Sequence, residues 1–256
     1  MDAIAQYFDH YVINARVKPA LFVVLPLAVT IMAWWPEAQH LGGATLTVMA
    51  TFGVIAFLSN LISNYGNELQ AKLFSEWGGA PTTALLRFAD VHLDRNTKER
   101  YHMRLEKMIP NLKMPSDREE QQEPMKADSY YISATNYLRE HTRDKERFPM
   151  VYSDNVAYGY ARNLLAMKPL GISVAVLGLV ANSVLLFLYH STELRLDYPH
   201  SFQVQLAFGI GTVAVCLVML WLFVRVVNGE YVKGRAVRYA KSLLAVCENS
   251  SVVGNE

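Results

Sequence analysis

The sequence predicts an all-α membrane protein: four transmembrane helices as two hairpins, with a helical cytoplasmic module inserted between spans two and three. Three observations carry this. Composition is 52% hydrophobic and 18% charged, too apolar for an ordinary soluble domain and too charged for a chain wholly in lipid. Four apolar runs are each about as long as the roughly 20 helical residues that a hydrocarbon layer requires. Between the second and third runs, the polar stretch from Ile62 to Pro169 keeps a helical period in its apolar residues. The expected organisation is an N-terminal segment over residues 1–18, a first hairpin over 19–61, the cytoplasmic module over 62–169, a second hairpin over 170–227 and a cytoplasmic C-terminal helix and tail over 228–256.

The N-terminal segment carries Asp2 and Asp9 before any basic residue, the wrong sign for the start of a secretory signal peptide, so no cleavage is expected. Ile4, Phe8, Tyr11 and Val12 recur at helical spacing and form an apolar stripe suited to the headgroup layer or to the protein's own cytoplasmic part.

The four runs extend over Val17–Trp35, Leu41–Leu61, Leu170–Tyr189 and Val204–Val227. Pro26 lies inside the first and is expected to kink it. Apart from Lys18 and Arg225 at their ends, none contains Asp, Glu, Lys or Arg, and core helices seldom stay apolar for so long. The intervening segments 36–40 and 190–203 are short, which pairs span one with two and span three with four. Orientation follows from the basic residues. Of 24 Lys and Arg, 16 lie in Ile62–Pro169 and one, Arg195, lies in a hairpin connection. Basic residues near span ends stay inside, so both termini and the module are expected in the cytoplasm of a bacterial inner membrane. Trp34, Trp35, Tyr189 and Tyr198 at one end, with Trp221 and Phe223 at the other, fit interfacial aromatic belts.

No ionisable side chain lies deep in a span, which argues against a proton-coupled transporter. Neutral polar and small residues remain, and Thr47, Thr51, Asn182, Gly211 and Thr212 are the candidates for a pore lining or a helix interface, within one bundle or between subunits of a homo-oligomer.

In the module, the helix of span two continues through Ser63–Trp77 and ends at Gly78-Gly79. Pro81 opens a helix over Thr82–Asp90, and a third is expected over Thr97–Ile109. Residues 115–126 read as an exposed loop. Further helices are expected over Ala127–His141 and Asn155–Met167, with Phe148–Tyr152 extended at most. Tyr231–Cys247 reads as a C-terminal helix.

Chemical signals are few. His92 with Asp94, and His102 with Glu106, lack further ligands to complete a metal site and fit solvated histidines better. No Gly-x-Ser-x-Gly, His-Glu-x-x-His or P-loop pattern is present, so neither a catalytic group nor a cofactor is assigned. Cys216 and Cys247 fall in an apolar run and in the tail, a placement that suggests neither disulfide nor zinc. The net charge of +1 gives no basis for nucleic-acid binding. A ligand site is drawn instead from Arg139, Arg143 and Arg147 with Tyr158, Tyr160, Arg162 and Asn163, which offer charge plus stacking to a nucleotide-like or other anionic ligand. The competing reading is a solvated salt-bridge cluster beside a tyrosine-lined helix core.

Two resemblances bear on function. The Trp77-Gly-Gly-Ala-Pro-Thr-Thr corner, with Thr142-Arg-Asp and Tyr158-Gly-Tyr-Ala-Arg-Asn163, resembles bacterial four-span inner-membrane proteins. The layout of the whole chain, a cytoplasmic part joined to four spans, resembles the membrane effectors of bacterial antiphage defence systems. That likeness implies a sensor that perturbs the bilayer, and it carries no site residues. The expected function is an integral membrane effector or regulated pore whose module senses a ligand or a cytoplasmic protein. A scaffold that anchors a cytoplasmic partner is the alternative, and an integral-membrane enzyme ranks third.

Overall fold

The computed structural model describes residues 10–35, 41–191 and 202–248, and every regular element among them is helical. We number these α1 (His10–Trp34), α2 (Leu41–Glu76), α3 (Pro81–Ala84), α4 (Arg95–Met108), α5 (Asp117–Gln122), α6 (Pro124–His141), α7 (Pro149–Ala166), α8 (Lys168–His190), α9 (Phe202–Val226) and α10 (Gly229–Ala245). Four helices are long and apolar enough to cross a membrane: α1, the apolar part of α2, α8 and α9. The chain is a candidate multi-pass membrane protein on that ground. The stripe residues Ile4 and Phe8, the connections 36–40 and 192–201 with Arg195 and Tyr198, and the tail from 249 lie outside the described residues.

The described chain divides into two compact units. The first comprises the residues up to Leu69 and Gly159–Val232, and the second comprises Gln70–Tyr158 and the residues from Lys233 onward. The boundaries fall inside α2, α7 and α10, not in loops.

In the first unit α1, α8 and α9 pack side by side, and α2 joins their core through Ile55, Leu58 and Ile62. Val23, Ala175, Met219 and Phe223 fill that core. Large residues elsewhere on α2, such as Leu46, Met49, Phe52 and Phe57, are exposed, as expected of a face turned to hydrocarbon. Pro26 stays within α1.

The second unit has its own apolar core, built from Leu85, Leu86, Tyr101, Leu105, Tyr131, Leu138 and Phe148. Ala240, Leu243, Leu244 and Cys247 belong to the same core, so the C-terminal helix packs on the helices of residues 70–158. Ser242 donates a hydrogen bond to Asp154, and Tyr239 stacks on Tyr158 with centroids 6.3 Å apart, which fixes α10 against α7.

Three local expectations are corrected. The helix begun at Pro81 stops at Ala84, because Glu120 takes the backbone N–H groups of Phe88 and Ala89 at 2.9 and 3.2 Å and holds that stretch as turns. Residues 115–126 are not a loop: Ser116 and Glu119 form a capping box that starts α5, and α6 begins directly at Pro124. Phe148–Tyr152 is not extended. Pro149 opens α7, where its missing N–H costs nothing because first-turn donors have no helical partner. The Gly78-Gly79 corner stands as read. Both glycines have positive φ (73° and 134°), and the Gly79 N–H reaches the Phe74 carbonyl at 2.7 Å to close α2.

Candidate functional site

One buried amide links α1, α8 and α9. Asn182 on α8 is fully buried, and in a hydrocarbon environment a buried amide must find partners within the protein. It finds them on three helices. Its Oδ1 accepts from Trp34 Nε1 of α1 at 2.8 Å and from the Thr212 hydroxyl of α9 at 2.5 Å. Its Nδ2 donates to the Thr30 hydroxyl of α1 at 2.7 Å and to the Gly178 carbonyl at 2.6 Å. The Thr30 hydroxyl in turn donates a hydrogen bond to the Pro26 carbonyl at 2.7 Å. Towards the Trp34 end of the same bundle, Gln205 is fully buried and donates to the Ala33 carbonyl at 2.6 Å, while its Oε1 has no hydrogen-bond partner among the described residues.

The other span candidates are placed differently. Gly211 is exposed, with open space where a Cβ would stand, so it turns away from the Asn182 cluster. Thr51 is half-buried on α2, beside an apolar groove of about 330 Å³ walled by α1 and α2. The side chain of Thr47 lies outside the described residues.

The proposed ligand residues are distributed over both units. Arg139, Arg143 and Arg147 are exposed around the turn from α6 to α7; Arg143 pairs with Glu140 at 2.9 Å and Arg147 lies over the Phe148 ring. Tyr158 is buried, and its hydroxyl donates to Gln70 at 3.0 Å. In the first unit, Tyr160 is half-buried and burial pushes its phenol up from the ordinary range. Asn163 is fully buried, donates to the Ala15 carbonyl at 2.7 Å, and accepts from Arg162 Nε at 3.3 Å. Tyr158 and Asn163 therefore serve helix packing, whereas the three arginines of the α6–α7 turn offer charge to solvent.

The second unit holds a polar cluster that the sequence did not reveal. Glu120 is 8% exposed; besides the Phe88 and Ala89 N–H groups its carboxylate accepts from the Tyr131 hydroxyl at 2.6 Å. Arg87 meets Asp128 through two parallel bonds of 2.7 Å. Lys98 is 2% exposed and its ammonium donates to the carbonyls of Phe88 and Asp90. His102 is buried between Phe88 and Tyr131, with Nε2 2.9 Å from the Leu86 carbonyl, and burial holds its pKa below the ordinary value. Glu106 is occupied by the Met114 N–H and His92 by Asp90. Among the described residues no group of three or more His, Cys, Asp or Glu is placed to hold a metal ion. Glu120, Arg87, Lys98 and His102 organise the 86–90 turns, since each bonds backbone groups there or belongs to the turn.

A charge cluster of this kind has no sequence signature of its own, because its members are separated by up to about 40 residues. The capping box Ser116-Asp-Arg-Glu119 does have one, and it would have located α5.

The fold and its polar centres define a class: an all-helical protein with four helices able to span a membrane and a second, polar helical unit. Comparison with protein-family models, with curated proteins and with solved structures returns no match.

Proposed function

We propose that this chain is a membrane effector. In this reading the unit of residues 70–158 and 233–248 takes up a cytoplasmic partner, and the four spans, arranged as two hairpins in a bacterial inner membrane, respond by loosening the bilayer or opening a path between copies. The observation that carries it is continuity. The chain passes between the two units inside α2, α7 and α10, so a change in one unit reaches the other through helix and not through a flexible linker. α2 alone is 36 residues, about 54 Å of unbroken helix.

Two further features support the details. Asn182 and Thr212 are spent on each other and on α1, which favours a path between copies over one through a single bundle; Gly211, exposed on α9, suits close approach by a second helix. The partner surface is the exposed Arg139, Arg143 and Arg147 group, suited to an acidic segment of a protein. The polar pocket lined by Lys113, Glu119, Glu123, Lys126 and Tyr130, about 150 Å³, falls short of the few hundred Å³ that small-molecule sites occupy.

The test is membrane potential and dye leakage in bacteria expressing the full chain, alone and with its genomic neighbours. Depolarisation that is lost when Arg139, Arg143 and Arg147 are all changed to Glu supports the effector. Intact membranes under every condition, together with stable capture of a second gene product, support a scaffold instead.

A further inference from the structure

Two of the spans leave α-helical register at one end. In α1 this occurs over Ile13–Val17, where the Lys18 N–H bonds the Ile13 carbonyl five residues back, and in α9 over Leu222–Val226, where the Val227 N–H bonds Leu222 at 3.0 Å. Such π turns are rare and occur frequently at functional sites.

For α1 the sequence supplies the cause. Pro19 stands four residues after Ala15 and has no N–H, so the Ala15 carbonyl lacks its α-helical donor. Asn163 Nδ2 replaces that donor at 2.7 Å. In α9, Lys168 Nζ donates to the carbonyls of Val227 and Val224 at 2.8 and 3.4 Å. Asn163 and Lys168 flank Met167, where α7 gives way to α8, so one joint serves the displaced carbonyls of two spans.

Helices also approach closely at this joint. A Cβ placed on Gly159 of α7 would lie 3.2 Å from the Ala15 Cβ, and one placed on Gly66 of α2 would lie 2.1 Å from Asn163 Oδ1. All these residues belong to the first unit. Asn163 is thus the point at which α1, α2 and α7 meet.

We propose that Asn163 is a releasable latch. While its amide holds the Ala15 carbonyl, the ends of α1, α2 and α7 are locked together; when it lets go, the Ala15 carbonyl again lacks the donor that Pro19 cannot supply, and α1 is free to slide on α7. A single neutral hydrogen bond shifts an equilibrium by roughly two- to tenfold, which a partner's differential affinity can overcome. The physiological use of the latch rests on the effector reading, but the latch is tested without it.

The test places a cysteine pair, Ala15→Cys with Gly159→Cys, in the full-length chain in its membrane and follows the rate of disulfide formation under mild oxidation. A Cβ separation of 3.2 Å is close enough for the bond to form with a small shift, once the Tyr11 hydroxyl, 2.9 Å from the new Cβ, gives way. In the parent pair the disulfide forms readily. Adding Asn163→Leu or Asn163→Ala, neither of which can donate, slows it roughly two- to tenfold while the amount of protein in the membrane is unchanged. An unchanged cross-linking rate in both variants overturns the latch. Failure of both to accumulate in the membrane also overturns it, because Asn163 is then a folding element. Membrane potential is read on the same cells with and without the genomic neighbours: slowed cross-linking with depolarisation supports latch and effector together, and slowed cross-linking with an intact potential in both supports the latch and removes the effector.

Discussion

Replacing Asn182 with alanine removes the amide that α1, α8 and α9 share. Three of its bonds cross between helices, those to Trp34, Thr30 and Thr212. Interhelical hydrogen bonds in a bilayer average about 0.6 kcal/mol, giving roughly 2 kcal/mol for the set. The missing atoms leave a small void, which at about 24 cal/mol per Å³ adds roughly 0.5 kcal/mol. The expected loss is about 2.5 kcal/mol, or roughly 70-fold in the unfolding equilibrium. Thr212→Val is the control. Its hydroxyl has one proton and a second acceptor nearby, the Gly209 carbonyl at 2.8 Å, so the change costs about 0.6 kcal/mol or less. The assay is reversible unfolding in mixed micelles at increasing detergent fraction, followed by the fluorescence of the tryptophans, among which Trp34 sits on the amide itself. A cost for Asn182→Ala within about 0.5 kcal/mol of zero, or one smaller than that of Thr212→Val, refutes the view that this amide ties the spans together.

Other expectations concern each unit separately. Glu120→Ala frees two backbone N–H groups and the Tyr131 hydroxyl at once; bonds to a charged acceptor are worth about 1.5–3 kcal/mol, so the variant loses at least about 3 kcal/mol, measured by thermal unfolding of the polar unit. Gly171→Ala drives a methyl to 2.4 Å from the Phe223 ring and costs about 1–3 kcal/mol by overpacking, read in the same micelle assay as Asn182→Ala. Acid weakens the second unit through His102. Burial lowers its folded pKa, so the unfolded chain binds the extra proton first; stability is full above the unfolded value of about 6.5 and falls as pH drops through it towards the folded pKa. Hydrogen exchange in α4 and α6 measured from pH 7.5 to 5 reads this, and exchange free energies that rise towards pH 5 contradict it. Cys247 behaves in the opposite sense. Burial pushes its thiol up to about 12, so it is expected to resist alkylation in the folded chain at pH 8 and to react once α10 is detached.

The helices were legible where periodicity and breakers agree. The run from Leu41 past Ile62 reads as one helix because its apolar residues never lose the helical period, and Gly78-Gly79 ends it for a reason of backbone geometry. The stretch 115–126 was misread because its composition is that of a loop, while a local cap between Ser116 and Glu119 is enough to close one turn of helix. The end of α3 was misread for the contrary reason. Local propensity carries a helix past Ala84, but a carboxylate more than thirty residues away takes the N–H groups it would use. Site residues were legible by type and not by partner. Asn182 and Thr212 stood out as polar residues in apolar runs, yet nothing in their spacing ties them to Trp34 or Thr30. Asn163 stood beside Arg162 as a ligand candidate, and only the fold brings it to the carbonyl that Pro19 leaves without a donor.

The central structural claim is that α1, α8 and α9 close on one another around Asn182, so that the polar centre of the bundle is shut off from water. Cys216 reports on it directly: it is fully buried on α9, with Asn182 Nδ2 3.8 Å from its sulfur. Membranes containing the full chain are treated with a small hydrophilic maleimide and modification at Cys216 is read by peptide mass. A closed bundle leaves Cys216 unmodified until the membrane is dissolved in denaturing detergent; labelling at the rate of an exposed thiol in intact membranes contradicts the account.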